Sequence, residues 1–145
     1  MHEFKIPLKL VDVMEAGYHA HIEVVVNGIP TTLVVDSGAS HTAFDQNFLE
    51  DLIGIIPLDE NDQKSSGIGS NDLISFQGII STFQIGDFIE KDFQVAILDL
   101  SAINIAYQQA ELNPVLGVLG CEFLLKHRAI LDFDLMEITF KGKEK

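Results

Sequence analysis

The 145-residue chain carries 22 acidic against 9 basic side chains, a formal net charge of -13, with 47% hydrophobic residues, 8% aromatic and no tryptophan. That length suits one domain spanning 1–145, packed around Ile, Leu, Val and Phe, and so acidic a surface argues against nucleic acid or an anionic membrane as partner, since both need a basic face. The lone Cys121 excludes an internal disulfide and any cysteine-based zinc site.

Met1 to Pro7 lacks the apolar run of a secretory leader, and nothing approaches membrane-spanning length, so a complete chain of this kind is expected in the cytoplasm. Phe4, Ile6, Leu8 and Leu10 alternate loosely, which predicts an edge strand from Phe4 to Val13 that tolerates Pro7. Ala20 to Val26 is a clearer strand, and Asn27-Gly28 is a two-residue hairpin turn with both residues at φ > 0. The return strand, Thr31 to Val35, delivers Asp36-Ser37-Gly38-Ala39 at its end, in a register that the turn fixes. Asp45 then reads as a helix cap, with Phe48, Leu49, Leu52 and Ile53 as one apolar face and Pro57 as the stop.

From Asp59 to Asp72 the chain is polar and glycine-bearing. Leu73 to Ile85, a turn at Gly86-Asp87, and Phe93 to Leu100 predict a second hairpin. Ser101 to Leu112 suits a helical insertion capped by Ser101 and ended by Asn113-Pro114. Val118-Leu119-Gly120 leads into a short helix to about His127, and Ala129 to Phe133 with Glu137 to Phe140 form a last hairpin, followed by a basic tail. The order hairpin, apolar strand, helix occurs twice, an internal repeat that pairs Val118-Leu119-Gly120 with Val35-Asp36-Ser37-Gly38.

The apolar run Leu33-Val34-Val35 followed by Asp36-Ser37-Gly38-Ala39 resembles the active-site motif of the retropepsin-like (retroviral-type) aspartic proteases, above all their bacterial single-domain members. Two further features stand in family order: the glycine-bearing flap, here Ser66-Gly67-Ile68-Gly69-Ser70, and the apolar pair, glycine and helix at Val118 to Leu125. The likeness runs from about Ala20 to Phe140. It implies a mainly β, closed barrel-like acid-protease fold, one lobe per chain, with an internal pseudo-two-fold repeat and short helices. It also implies an aspartic endopeptidase with Asp36 as the catalytic carboxylate, Ser37, Gly38 and Ala39 in the active-site loop, Gly67, Ile68 and Gly69 over the substrate, and no metal or cofactor.

Aspartic proteases use two carboxylates in one step: one draws a proton from the attacking water, the other donates to the developing oxyanion. No second Asp-Ser/Thr-Gly occurs; Asp132-Phe133-Asp134 lacks both the hydroxyl and the glycine, and no acid precedes Gly120. The second aspartate is therefore expected from a second copy of the chain in a two-fold homodimer, with Ser37 bracing the partner's loop and an extended peptide bound by strand addition. The alternative is a retropepsin-like peptide-binding or dimerisation module that cleaves nothing. His19 and His21 share a strand face that reads as half-exposed rather than as a metal site, and Cys121 reads as a small buried thiol beside Gly120.

Overall fold

The structure, a computed structural model, describes residues 2–60 and 75–142. Its elements in chain order are β1 (His2–Pro7), β2 (Lys9–Asp12), a 3-10 turn (Met14–Ala16), β3 (Tyr18–Val26), β4 (Ile29–Val35), β5 (Ala43–Asp45), α1 (Gln46–Ile53) and β6 (Asp59–Glu60). They continue with β7 (Phe76–Ile85), β8 (Phe88–Leu98), α2 (Ser101–Gln109), β9 (Gly117–Leu119), α3 (Cys121–Lys126), β10 (Ile130–Asp132) and β11 (Glu137–Gly142). Eight strands run in the order β2-β3-β4-β9-β5-β8-β7-β6, and a further β3–β7 pairing closes the inner six into a barrel. The chain ends make a separate sheet, β1-β11-β10.

The local chemistry explains most of these boundaries. Asn27 (φ 48°) and Gly28 (φ 82°) are both left-handed, as a two-residue hairpin turn needs, and they set Ile22 opposite Leu33 and His21 opposite Val34. Alternation along β3 then sends Ala20, Ile22, Val24 and Val26 into the barrel core, where they meet Leu33, Phe44, Ile80 and Phe83. The expected first strand is two strands broken at Leu8, with β1 on the edge of the small sheet, where Pro7 is harmless. Helix α1 does start on the Asp45 side chain, which accepts the Phe48 N–H at 3.0 Å. It ends at Gly54 (φ 87°) and not at Pro57, because the left-handed glycine turns the chain before the proline is reached. Strand β8 starts at Phe88, five residues earlier than expected, since the tight turn at Gly86 (φ 58°) lets Ile85 pair with Phe88 at once.

The pseudo-two-fold is visible in the register. Leu33, Val34 and Val35 of β4 run parallel to Gly117, Val118 and Leu119 of β9; Ala96, Ile97 and Leu98 of β8 run parallel to Ala43, Phe44 and Asp45 of β5. Exchanging β3 with β7, β4 with β8 and β9 with β5 reproduces the barrel, with the axis between β5 and β9, which are antiparallel. This corrects the repeat read from the sequence. The mate of β4 is β8, so the residue equivalent to Asp36 is Asp99, and Val118-Leu119-Gly120 corresponds to the β5–α1 junction. The sequence Asp99-Leu100-Ser101 still lacks the hydroxyl-glycine pair. Where Asp36 is followed by a short loop to β5, Asp99 is followed by α2, so the insertion occupies the counterpart of that loop. Ser101 does not cap α2 with its side chain; it is the first helical residue, and its N–H is held by the Asp99 carboxylate at 2.9 Å.

Candidate active site

Asp36 leaves the end of β4 half-buried, with Ser37 and Gly38 exposed and Ala39 half-buried beyond it. The loop begins by folding on itself. The Gly38 N–H donates to Asp36 Oδ1 at 2.9 Å, and the Ala39 N–H to the Asp36 carbonyl at 3.1 Å. A Cβ at Gly38 would lie 3.2 Å from Asp36 Oδ1, so the carboxylate would have to give by a few tenths of an ångström, and the φ of Gly38 lies outside the left-handed range.

The loop is also tied to the β9–α3 segment. The Asp36 N–H donates to the Leu119 carbonyl at 3.0 Å, and the Cys121 N–H donates to the Ala39 carbonyl at 2.7 Å. Thr42, fully buried, sends both its N–H and its hydroxyl to Glu122 Oε1, at 2.8 and 2.9 Å, while its Oγ1 accepts the Gly120 N–H at 3.0 Å. Gly120 makes this approach possible: a Cβ there would meet the His41 carbonyl carbon at 2.3 Å and the Thr42 nitrogen at 2.5 Å. Thr42 and Glu122 were invisible as a pair in the sequence, being far apart and each unremarkable locally.

Behind the loop lies a smaller core in which Val34, Val118, Leu98, Tyr107 and Val115 pack, with Ala39 against it. Helix α2 closes it from outside. Asn104 pairs its amide with both the N–H and the carbonyl of Val115 at 2.9 Å, and Asp45 Oδ1 accepts the Leu100 N–H at 2.8 Å. The Tyr107 hydroxyl lies 2.7 Å from His19 Nδ1 and 2.7 Å from His21 Nε2. This corrects the half-exposed reading for His21, which is buried under Tyr107 of α2, while His19 is half-buried. Burial, then the charges of His19 and Lys9, lowers the His21 pKa to about 4; burial raises that of Tyr107 to about 12. Among the described residues no cluster of three or more His, Cys, Asp or Glu side chains is placed to hold a metal. Cys121 is exposed, not buried, because it opens α3 on the outer side of Gly120. Gly67, Ile68 and Gly69 lie outside the described residues; their flanking strands β6 and β7 are antiparallel neighbours.

A family model described as aspartyl protease matches residues 22–123. Among solved structures, a retropepsin-like aspartic protease from Rickettsia conorii is similar with a TM-score of 0.53 at 16% identity, covering 96% of this chain and 89% of that one. The EIAV protease in complex with the inhibitor HBY-793 is similar with a TM-score of 0.53 at 16% identity, covering 83% of this chain and 86% of the other. At that identity the likenesses establish the fold. No match was found among curated protein sequences.

Proposed function

The chain belongs to the aspartyl protease family, and from that premise we propose that it is an aspartic endopeptidase whose active site is completed by a second copy of itself. The observation that carries the reading is Asp36 at the end of β4, in a loop hydrogen-bonded to β9 and α3, with no second Asp-Ser/Thr-Gly anywhere in the chain. Asp99, the topological mate of Asp36, lacks the following hydroxyl and glycine, so the repeat within the chain supplies no second motif. A two-fold axis between two chains brings identical groups together. It sets one Asp36 carboxylate to draw the proton from water as the oxygen attacks the peptide carbonyl. The other, protonated, donates to the forming oxyanion.

In this reading Ser37, exposed at the mouth of the loop, braces the partner's loop across the axis, and Gly38 and Ala39 line the cleft floor. Gly67, Ile68 and Gly69 cover an extended peptide held by main-chain hydrogen bonds and alternating side-chain pockets. The experiment is cleavage of a random peptide library by the wild type beside Asp36→Asn, with sedimentation of both. Cleavage by a dimeric wild type and none by a dimeric variant supports the proposal. Equal cleavage by both, or cleavage by a monomer, ends it.

A further inference from the structure

The loop that carries Asp36 is joined to the β9–α3 segment by two kinds of hydrogen bond. Two are purely main-chain: Asp36 N–H to Leu119 O and Cys121 N–H to Ala39 O. The others pass through Thr42 and Glu122, and only these depend on residue identity. A single carboxylate oxygen, Glu122 Oε1, receives both donors of Thr42. That fixes the Thr42 hydroxyl hydrogen toward the carboxylate and leaves an Oγ1 lone pair for the Gly120 N–H. The relay is continuous: Gly120 N–H to Thr42 hydroxyl, Thr42 hydroxyl to Glu122, Thr42 N–H to Glu122. It closes a ring at the point where Gly120 packs against the 41–42 peptide closely enough to forbid a Cβ. Glu122 sits in the first turn of α3, so the ring fixes the exit of the Asp36 loop to a helix, while β4 fixes its entry.

We propose that Glu122, acting through Thr42, is the positioning residue of the active-site loop: its Oε1 acts as a hydrogen-bond acceptor that keeps Asp36 in the geometry catalysis needs. The inference rests on the aspartic-protease reading for its catalytic consequence, and on the hydrogen bonds alone for its structural one. The role belongs to the acceptor and not to the charge. A glutamine at 122 keeps a carbonyl oxygen in the same place and satisfies both Thr42 donors. An alanine leaves the buried Thr42 N–H and hydroxyl without that partner, and a valine at 42 removes the hydroxyl from both of its bonds.

The test compares Glu122→Ala and Thr42→Val with the conservative Glu122→Gln and Thr42→Ser. Each is measured as a dimer of verified concentration on a peptide selected from a random library with wild-type protein, alongside amide hydrogen exchange at Asp36, Thr42, Gly120 and Cys121. Misplacing a reacting group by an ångström costs on the order of 100-fold in rate. Glu122→Ala and Thr42→Val are therefore expected to lose about that much in kcat with KM little changed and faster exchange at the four amides. Glu122→Gln and Thr42→Ser are expected to stay within a few-fold of wild type. A merely structural role would lower the amount of active dimer and leave kcat per dimer untouched. Normal kcat per dimer in Glu122→Ala, or equal damage in Glu122→Ala and Glu122→Gln, overturns the proposal. If the wild type cleaves nothing, the protease reading is what has failed, and exchange alone decides: acceleration confined to the alanine and valine variants sustains the loop-positioning role, and unchanged exchange overturns it.

Discussion

Replacing Tyr107 with phenylalanine keeps a fully buried ring and deletes one oxygen. The ring stacks on His21 with centroids 5.4 Å apart, so no cavity opens. What is lost is the hydroxyl shared by His19 and His21. One O–H donates to only one nitrogen, so the other imidazole must donate its own N–H to the oxygen. His19 is half-buried and can recover a water, whereas His21 is only 8% exposed and cannot do so easily. A net hydrogen bond contributes about 1 kcal/mol, and an unpaired buried group costs about 1–3 kcal/mol, which sets the expected loss at about 2 kcal/mol. For a chain of this length that is roughly 4–8 °C in Tm. Urea and thermal unfolding at pH 7, followed by circular dichroism, read it directly. A variant within about 0.5 kcal/mol of wild type, the range of an ordinary surface change, refutes the view that this hydroxyl holds α2 to the barrel.

Four further outcomes are expected. With a His21 pKa of about 4 against the ordinary 6.5, the unfolded chain takes up a proton that the fold refuses, so stability is complete above about pH 6.5 and declines as pH falls toward 4. The ceiling is about 3 kcal/mol; urea titrations of His21→Gln should lose this slope, and an unchanged slope refutes the assignment. Asp36→Asn should lower cleavage by about 100- to 10,000-fold while leaving the circular dichroism spectrum and Tm close to wild type, and a large fall in Tm would mean the carboxylate supports the fold instead. Gly120→Ala places a Cβ against backbone atoms that cannot swing aside, so a loss of about 1–3 kcal/mol is expected in denaturant unfolding; a neutral result would contradict the close approach of the two segments. If two copies pair as proposed, added salt at pH 7 should tighten that pairing by screening the -13 charge of each copy, and sedimentation showing no salt dependence would place the charges away from the contact.

The sequence carried the barrel's first half well, because its determinants are local. The left-handed pair Asn27-Gly28 fixes a register, and that register sets which side chains of β3 and β4 enter the core. Asp36 at a strand end, Asp45 as a cap and the β9–α3 step were legible for the same reason. The rest depends on contacts between distant segments. Tyr107 looks like one more apolar residue on a helix face until α2 lies across β3, and only then does His21 become a buried group. Thr42 and Glu122 meet because Gly120 lets two backbones touch. Strand β8 was cut short at its start because Glu90, Lys91 and Asp92 hide the apolar alternation. The repeat was misaligned by one strand because β9 resembles β4 in composition, whereas parallel pairing, which sequence does not display, makes β8 its mate.

That pairing bears on how the site is built. The two ends of the barrel's internal symmetry, after β4 and after β8, begin alike: Asp36 Oδ1 accepts the N–H of Gly38, and Asp99 Oδ1 accepts the N–H of Ser101, both at 2.9 Å. From there they diverge. One end goes directly to β5 and keeps its carboxylate at the surface of a tight loop; the other extends into α2, which folds back over the small core beneath Val34, Val118 and Ala39. The longer arm thus supports the shorter one, through Tyr107 reaching His21 of β3 and Asn104 reaching Val115 in the segment before β9. A shared-proton dyad works on the acid side of neutral, and that is where protonation of His21 starts to oppose the packing of α2. The pH range of the proposed chemistry and that of the His21 contribution to stability therefore overlap behind a single loop. A change in α2 that never touches substrate should move both, the stability first and the alignment of Asp36 with it.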